Sequence, residues 1–225
     1  MKSRFPFILV ACLFSFNLTR AADFDHHSKK WEKEIAAFEQ QDQTNPPPKN
    51  GIEFIGSSTI ARWKTLTQDY AGFPVYNRGF GGSQLADSTY YAARIIFPYA
   101  PRLIFLRAGG NDLAAGESVE GVFSDYTNFV ATVHAGLPDT TIYFISWGPT
   151  PSRWKQHEQE LKLNALIKDY TVQHPEMHLQ YIETYDLPLS SDGKPRPELF
   201  GPDQLHYNAE GYKLLADRVR PYLSK

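Results

Sequence analysis

The chain has 225 residues, of which 42% are hydrophobic and 21% charged, with a formal charge of −2. This length supports one well-buried domain and is short for two, and the composition is that of a globular chain, not a disordered or integral-membrane one. The near-neutral charge and the lack of any lysine or arginine run give no sign of a nucleic-acid partner.

The first residues read as an export signal. Lys2 and Arg4 form a basic start, residues 5–18 an apolar run, and Thr19-Arg20-Ala21 a small-x-small cleavage site. The run is short for a membrane span and is interrupted by Pro6, Ser15 and Asn17. Cleavage after Ala21 removes three positive charges (Lys2, Arg4, Arg20), so −2 becomes about −5 and the product is expected to be secreted or periplasmic. The only cysteine, Cys12, lies in this segment, and Leu9-Val10-Ala11-Cys12 resembles a lipoprotein box that would leave a lipid anchor. Leu13, Phe14 and Phe16 continue the apolar run past it, which favours ordinary export. The exported chain would then contain no cysteine, hence no disulfide, thiol nucleophile or thiolate metal site.

Residues 23–42 predict an amphipathic helix, with Trp31, Ile35 and Phe38 on a narrow apolar stripe, packed on the domain as an outer arm. His26 and His27 precede it and are expected to be a solvated pair, not metal ligands. Pro46-Pro47-Pro48 ends the arm with an extended link, because consecutive prolines cannot continue a helix. A short apolar run at 52–55 then predicts a strand, Gly56 a sharp turn, and Ile60, Trp63 and Leu66 a helix starting near Ser57 and Ser58. The pattern recurs four times. Apolar runs at 74–78, 103–106, 141–146 and 179–182 are each followed by a glycine- or proline-bearing loop and a helical stretch, at about 85–97, 119–135, 156–173 and 209–222. Short continuous apolar runs alternating with helices predict a parallel sheet covered on both faces. Five units predict a flavodoxin-like three-layer α/β/α sandwich with a five-stranded parallel sheet.

In such a sheet every strand's carboxyl end opens on one edge. Ser58 follows the first run, Gly82 the second, Asn111 the third, and Asp203 and His206 the fifth. A serine at a strand-to-helix turn faces the ligand crevice, and a helix N-terminus beneath it favours negative charge. A plain Ser/Thr helix cap also explains that stretch by itself. Histidine can take a serine's proton, and an acid three residues away can hold the ring's other nitrogen. Taken alone, Asp203-Gln204-Leu205-His206 equally describes a turn aspartate and a surface histidine. Gly82 N–H, the Asn111 amide and Ser58 N–H are the candidate oxyanion donors. Gly79-Phe80-Gly81-Gly82-Ser83-Gln84 lacks the last glycine of a dinucleotide-binding turn. Arg107 is placed to neutralise a buried carboxylate or meet an anionic substrate, and Trp147, Arg153 and Trp154 to line a sugar or acyl pocket or pack a rim loop. His134, His157, His174 and His178 read as ordinary surface residues. No His/Asp/Glu set has metal-ligand spacing, so neither metal nor other cofactor is expected.

Four blocks in order, Phe54-Ile55-Gly56-Ser57-Ser58, Asn77-Arg78-Gly79-Phe80-Gly81-Gly82, Gly109-Gly110-Asn111-Asp112 and Asp203-Gln204-Leu205-His206, resemble the SGNH, or GDSL-type, hydrolases. The branch they look most like contains the platelet-activating-factor acetylhydrolase catalytic subunits and similar bacterial esterases. The resemblance implies Ser58 as nucleophile, Ser58, Gly82 and Asn111 as the oxyanion hole, and Asp203 and His206 as the rest of the triad. It makes 51–225 the hydrolase domain, after a signal at 1–21 and the helix and link at 22–50. Ser57 departs from the usual Asp of Gly-Asp-Ser; that residue is not the triad acid, so its loss bears on support for the nucleophile.

The expected function is hydrolysis of a small-molecule or carbohydrate ester, short-acyl, with carbohydrate O-acetyl esters among the candidates, and no membrane span in the mature chain. A lysophospholipase or thioesterase, which needs an apolar acyl groove, is the enzymatic alternative. A silent carbohydrate- or lipid-binding module on the same fold is the non-enzymatic one.

Overall fold

The computed structural model describes residues 26–224; the expected export signal and Cys12 lie outside the described residues. Five strands form: β1 (Ile52–Gly56), β2 (Val75–Gly79), β3 (Leu103–Arg107), β4 (Thr141–Ile145) and β5 (Leu179–Ile182). They lie side by side in the order β2-β1-β3-β4-β5, and every neighbouring pair is parallel. The chain reverses its winding direction between β1 and β3, the switch point at which such sheets open a crevice.

Alternation along each strand divides the apolar side chains between two cores. Ile55, Ile104, Leu106, Ile142 and Phe144 enter one, and Ile52, Phe54, Leu103, Phe105, Tyr143 and Ile145 the other. In the second core Phe54, Phe105 and Tyr143 stack across three adjacent strands, with centroids 4.7 and 4.8 Å apart. The helices cover both faces: α1 (Glu32–Asp42), α2 (Ser58–Ala61), α3 (Leu66–Asp69), α4 (Leu85–Tyr90), α5 (Ala92–Ile95), α6 (Gly110–Ala114), α7 (Val119–Gly136), α8 (His157–Gln173) and α9 (Ala209–Val219). Ile60 from α2, Leu66 from α3 and Leu215 and Val219 from α9 pack on the second core. Leu85, Ile95, Val130, Val133, Leu163 and Ile167 pack on the first. Among the described residues no helix is long and apolar enough to cross a membrane.

Several elements differ from the sequence expectation. The helix after Ser58 is a single turn, because the Asn77 amide takes the Ile60 carbonyl at 2.6 Å and Trp63 turns into the core with its indole N–H donating to Asp69 Oδ2 at 2.6 Å. Ile60, Trp63 and Leu66 are all buried, but from two separate helical turns. The helix expected at 85–97 breaks at Tyr91 (ψ 4°), whose hydroxyl donates to Ser28 O at 2.9 Å. Helix α8 starts at His157, after a 3₁₀ turn at Pro151–Gln156. Helix α9 gives way to a 3₁₀ turn at Arg220–Tyr222, since Pro221 has no N–H to continue the α ladder.

The N-terminal arm is more than an outer arm. Within α1, Ile35 is wholly buried in the main core. Asp42 closes a bidentate pair with the buried Arg78 at 2.6 and 2.7 Å and accepts the Tyr99 hydroxyl. Arg94 bridges Glu39 and Glu32 on the helix surface.

Candidate active site

The turn after β1 is set by two glycines. Gly56 has φ +139°, and a Cβ there would lie 2.1 Å from Arg107 O on β3, so no other residue fits. At Gly79 a Cβ would lie 2.4 Å from Ala61 N, so α2 can rest directly on the end of β2. Ser57 donates its N–H to Arg107 O at 3.1 Å and its carbonyl receives Ile60 and Ala61 N–H. Its side chain makes no cap to the helix. Ser58 opens α2. Tyr212 on α9 donates to Thr59 O at 2.9 Å and steadies the turn from the far side. With only one turn behind it, the dipole support expected from a full helix is small.

Ser58 Oγ lies 2.8 Å from His206 Nε2, and His206 Nδ1 lies 2.7 Å from Asp203 Oδ2. Asp203 Oδ1 accepts the backbone N–H groups of Leu205 and His206 at 3.1 and 3.0 Å. The His206 N–H, then the His206 ring, hold the Asp203 carboxyl well below the usual carboxylate range, although it is exposed to solvent. Arg62 approaches the same carboxylate at 3.4 Å. The loop owes its shape to local bonds: Gly201 N–H meets His206 O at 2.8 Å, and Gln204 takes a left-handed turn (φ +53°). Asn208 caps α9 through Glu210 and Gly211 N–H and ties back to Glu198 O at 2.7 Å. A residue pair separated by 148 positions is thus brought within hydrogen-bond reach by β1 and the start of α9.

Asn111, on the first turn of α6, lines the same small cavity as Ser58 and His206, about 50 Å³ in volume. Its amide donates to Ser83 O at 2.9 Å, and its Oδ1 receives Arg153 at 3.0 Å, which settles which end of the amide points where. An amide nitrogen carries two hydrogens, so one remains for a ligand. Gly82 has φ +81°, and a Cβ there would meet the Trp31 ring at 3.2 Å, so the arm packs against this loop. Neighbouring Gly81 adjoins the Ser58 turn, 4.0 Å from Ser58 Cβ to a Cβ built there.

Of the three expected pocket residues, Arg107 and Trp147 line the cavity and Trp154 does not. Arg107 is buried beneath the cavity and donates to Ser146 O and, at 3.1 Å, to Thr184 Oγ1. Through Nη1 it ties the ends of β3, β4 and the segment after β5, and burial lowers its pKa. Trp147 belongs to the core, edge-on to Phe144, and only a glycine at 109 leaves room for its ring. Trp154 is not in the cavity wall; it stacks on His157 at 4.0 Å and carries Lys194 over its face at 4.4 Å. His157 is therefore a packing residue, and His134, half-buried, meets Thr140 O at 3.0 Å.

Arg153 and Glu160 acquire roles that spacing alone does not reveal. Arg153 binds Gly110 O and Asn111 Oδ1, and Gln156 binds Gly110 O and Glu160. Glu160, at the cavity floor, is pushed up to about 7 by burial, with Gln156, Arg107 and Arg153 drawing it back.

Residues 51–214 match the GDSL-like Lipase/Acylhydrolase family. No curated protein matches the chain. A Streptococcus pneumonia structure provisionally named a platelet activating factor is 21% identical over 87% of this chain and 93% of its own, with a TM-score of 0.72. A Bacteroides fragilis structure provisionally named an acylhydrolase is 19% identical over 84% and 95%, with a TM-score of 0.73. The Pseudoalteromonas esterase EstA, inhibited by monoethylphosphonate, is 18% identical over 79% and 100%, with a TM-score of 0.58. These likenesses establish a shared fold. With the match running from the opening of β1 into α9, the chain belongs to the GDSL-like lipase/acylhydrolase family of hydrolases.

Proposed function

We propose that the protein is an exported serine esterase for small, short-acyl esters, O-acetyl groups on carbohydrate among them. The observation that carries this reading is the continuous relay Ser58 Oγ, His206 Nε2, His206 Nδ1, Asp203 Oδ2, with links of 2.8 and 2.7 Å. Ser58 Oγ attacks the ester carbonyl as its proton passes to His206 Nε2, and Asp203 stabilises the imidazolium. The oxyanion is met by Ser58 N–H, Gly82 N–H and the second hydrogen of the Asn111 amide. Collapse passes the His206 proton to the departing alcohol and leaves an acyl ester on Ser58. Water, deprotonated by His206, then releases the carboxylic acid and restores Ser58.

The small cavity, with a polar floor of Arg153 and Glu160, suits a short acyl group better than a fatty chain, which favours the esterase over a lysophospholipase or thioesterase. A purely binding site has no use for a complete relay. The basic start and apolar run before Ala21 support export. The test is hydrolysis of p-nitrophenyl acetate beside an acetylated xylan and a long-chain ester. Wild type should release acetate and leave the long-chain ester nearly untouched, and Ser58→Ala should be inactive. Equal activity in Ser58→Ala would sink the assignment of the nucleophile, and preference for the long chain would sink the substrate class.

A further inference from the structure

The first residues of the arm do not lie in solvent as a histidine pair. His26 is half-buried, with Nδ1 3.2 Å from Gln84 Oε1 and Nε2 3.1 Å from Asp125 Oδ2 on α7. Behind it stand Asp112, wholly buried on α6, and Glu117, 7% exposed in the turn before α7. One ligating atom from each of His26, Asp112, Glu117 and Asp125 lies within 4.8 Å of all the others. We infer that these four residues form a binding site for a divalent first-row transition cation of the zinc or manganese type.

Four features carry the inference beyond a mere acidic cluster. Asp112 Oδ2 and Glu117 Oε2 are buried atoms with no hydrogen-bond partner, and Asp125 Oδ2 has the His26 ring beside it. A buried carboxylate oxygen left in that condition is costly, and a cation is the partner that satisfies several at once. The second feature is orientation. Asp112 Oδ1 is occupied by Leu85 N–H at 2.8 Å, which leaves Oδ2 for the cluster. The third is the histidine. Nδ1 faces Gln84 Oε1, which can only accept, so Nε2, now 3.1 Å from Asp125 Oδ2, is the nitrogen left to meet a cation, as in a ring held by an outer partner in metal sites. The fourth is charge. Three carboxylates crowd together beside a single imidazole, and Asp112 and Glu117 among them are buried. A divalent ion removes that mutual repulsion. One imidazole with three carboxylates suits a borderline cation, whereas calcium prefers an all-oxygen shell.

The site lies behind the loops that carry the candidate oxyanion donors. Asp112 follows Asn111, and Gln84 follows Ser83, whose carbonyl holds the Asn111 amide. A bound ion would therefore join the arm, α6 and α7 and brace those loops from behind.

The experiment uses protein that retains residue 26, stripped with EDTA and titrated with Zn²⁺ by calorimetry, with Mn²⁺ followed by electron paramagnetic resonance. One ion per chain is expected, with a rise in Tm. Asp125→Asn and Glu117→Gln, which keep side-chain shape, should lower affinity by about a hundredfold or more and abolish the rise in Tm. Before metal is added their Tm should equal or exceed that of wild type, because a buried charge has been removed. His26→Ala, on the arm, should lower affinity at least about tenfold and serves if a core variant fails to fold. Absence of stoichiometric binding overturns the inference, as does binding that survives these substitutions. Preferential binding of Ca²⁺ over Zn²⁺ overturns the class of cation. None of these readouts depends on ester hydrolysis.

Discussion

Arg153→Ala tests whether the Asn111 amide, the proposed oxyanion donor, is held in place from outside the cavity. One guanidinium nitrogen donates to Asn111 Oδ1 at 3.0 Å and to Gly110 O at 3.1 Å. A hydrogen bond from a charged donor contributes about 1.5–3 kcal/mol. Asn111 keeps its bond to Ser83 O at 2.9 Å, so removing Arg153 loosens the amide without releasing it. The lower end of the range applies, and about 1.5 kcal/mol in the transition state corresponds to roughly a tenfold fall in kcat. Asn111→Ala removes the donor itself and should lower kcat by about 10²- to 10³-fold with KM little changed. In the Asn111→Ala background Arg153 has nothing left to position, so the further loss should be under about threefold. The assay is steady-state hydrolysis of p-nitrophenyl acetate by the two single variants and the double. Losses that multiply, or a change in KM alone, would refute the reasoning and make Arg153 a direct substrate contact.

In the proposed triad Asp203 and His206 act as one unit, so Asp203→Asn/His206→Ala should be no slower than His206→Ala, as measured by kcat on the same ester. An organophosphonate should label Ser58 and leave Ser57 unmodified in a peptide map. Asp42→Ala strands the buried Arg78 and should lower stability by about 3–5 kcal/mol, read from urea unfolding. The buried Glu53 is pushed up to about 8, first by desolvation, so the folded state holds a proton that the unfolded state loses above about 4.5. Its contribution to stability is therefore complete below that lower value, declines as pH rises to about 8, and is level beyond, a span of at most about 5 kcal/mol. Glu53→Gln should flatten this decline in unfolding curves taken from pH 5 to 9.

The strands were legible because their signal is local and redundant. Runs such as 103–106 and 142–145 are apolar at successive positions, as a sheet covered on both faces requires, while Glu53, Asn77, Arg78 and Gln180 interrupt the others, which were legible from their place before a turn and a helix. Ser58, Asn111, Asp203 and His206 were legible as candidates for a topological reason: the residues that end parallel strands must share an edge. What the sequence leaves open is whatever depends on long-range partners. The one-turn α2 arises because Asn77, on another strand, captures the Ile60 carbonyl, and no period in residues 57–66 encodes that bond. Trp147 and Trp154 look alike as rim aromatics, yet one fills the space above Gly109 and the other stacks on His157. The Asn111–Arg153 contact spans 42 positions. The same limit hid the cluster around His26, whose four members come from the arm, α6, the turn after it and α7. Spacing detects ligands only when they share an element; here tertiary packing alone brings an imidazole from the arm against carboxylates some ninety residues further along the chain.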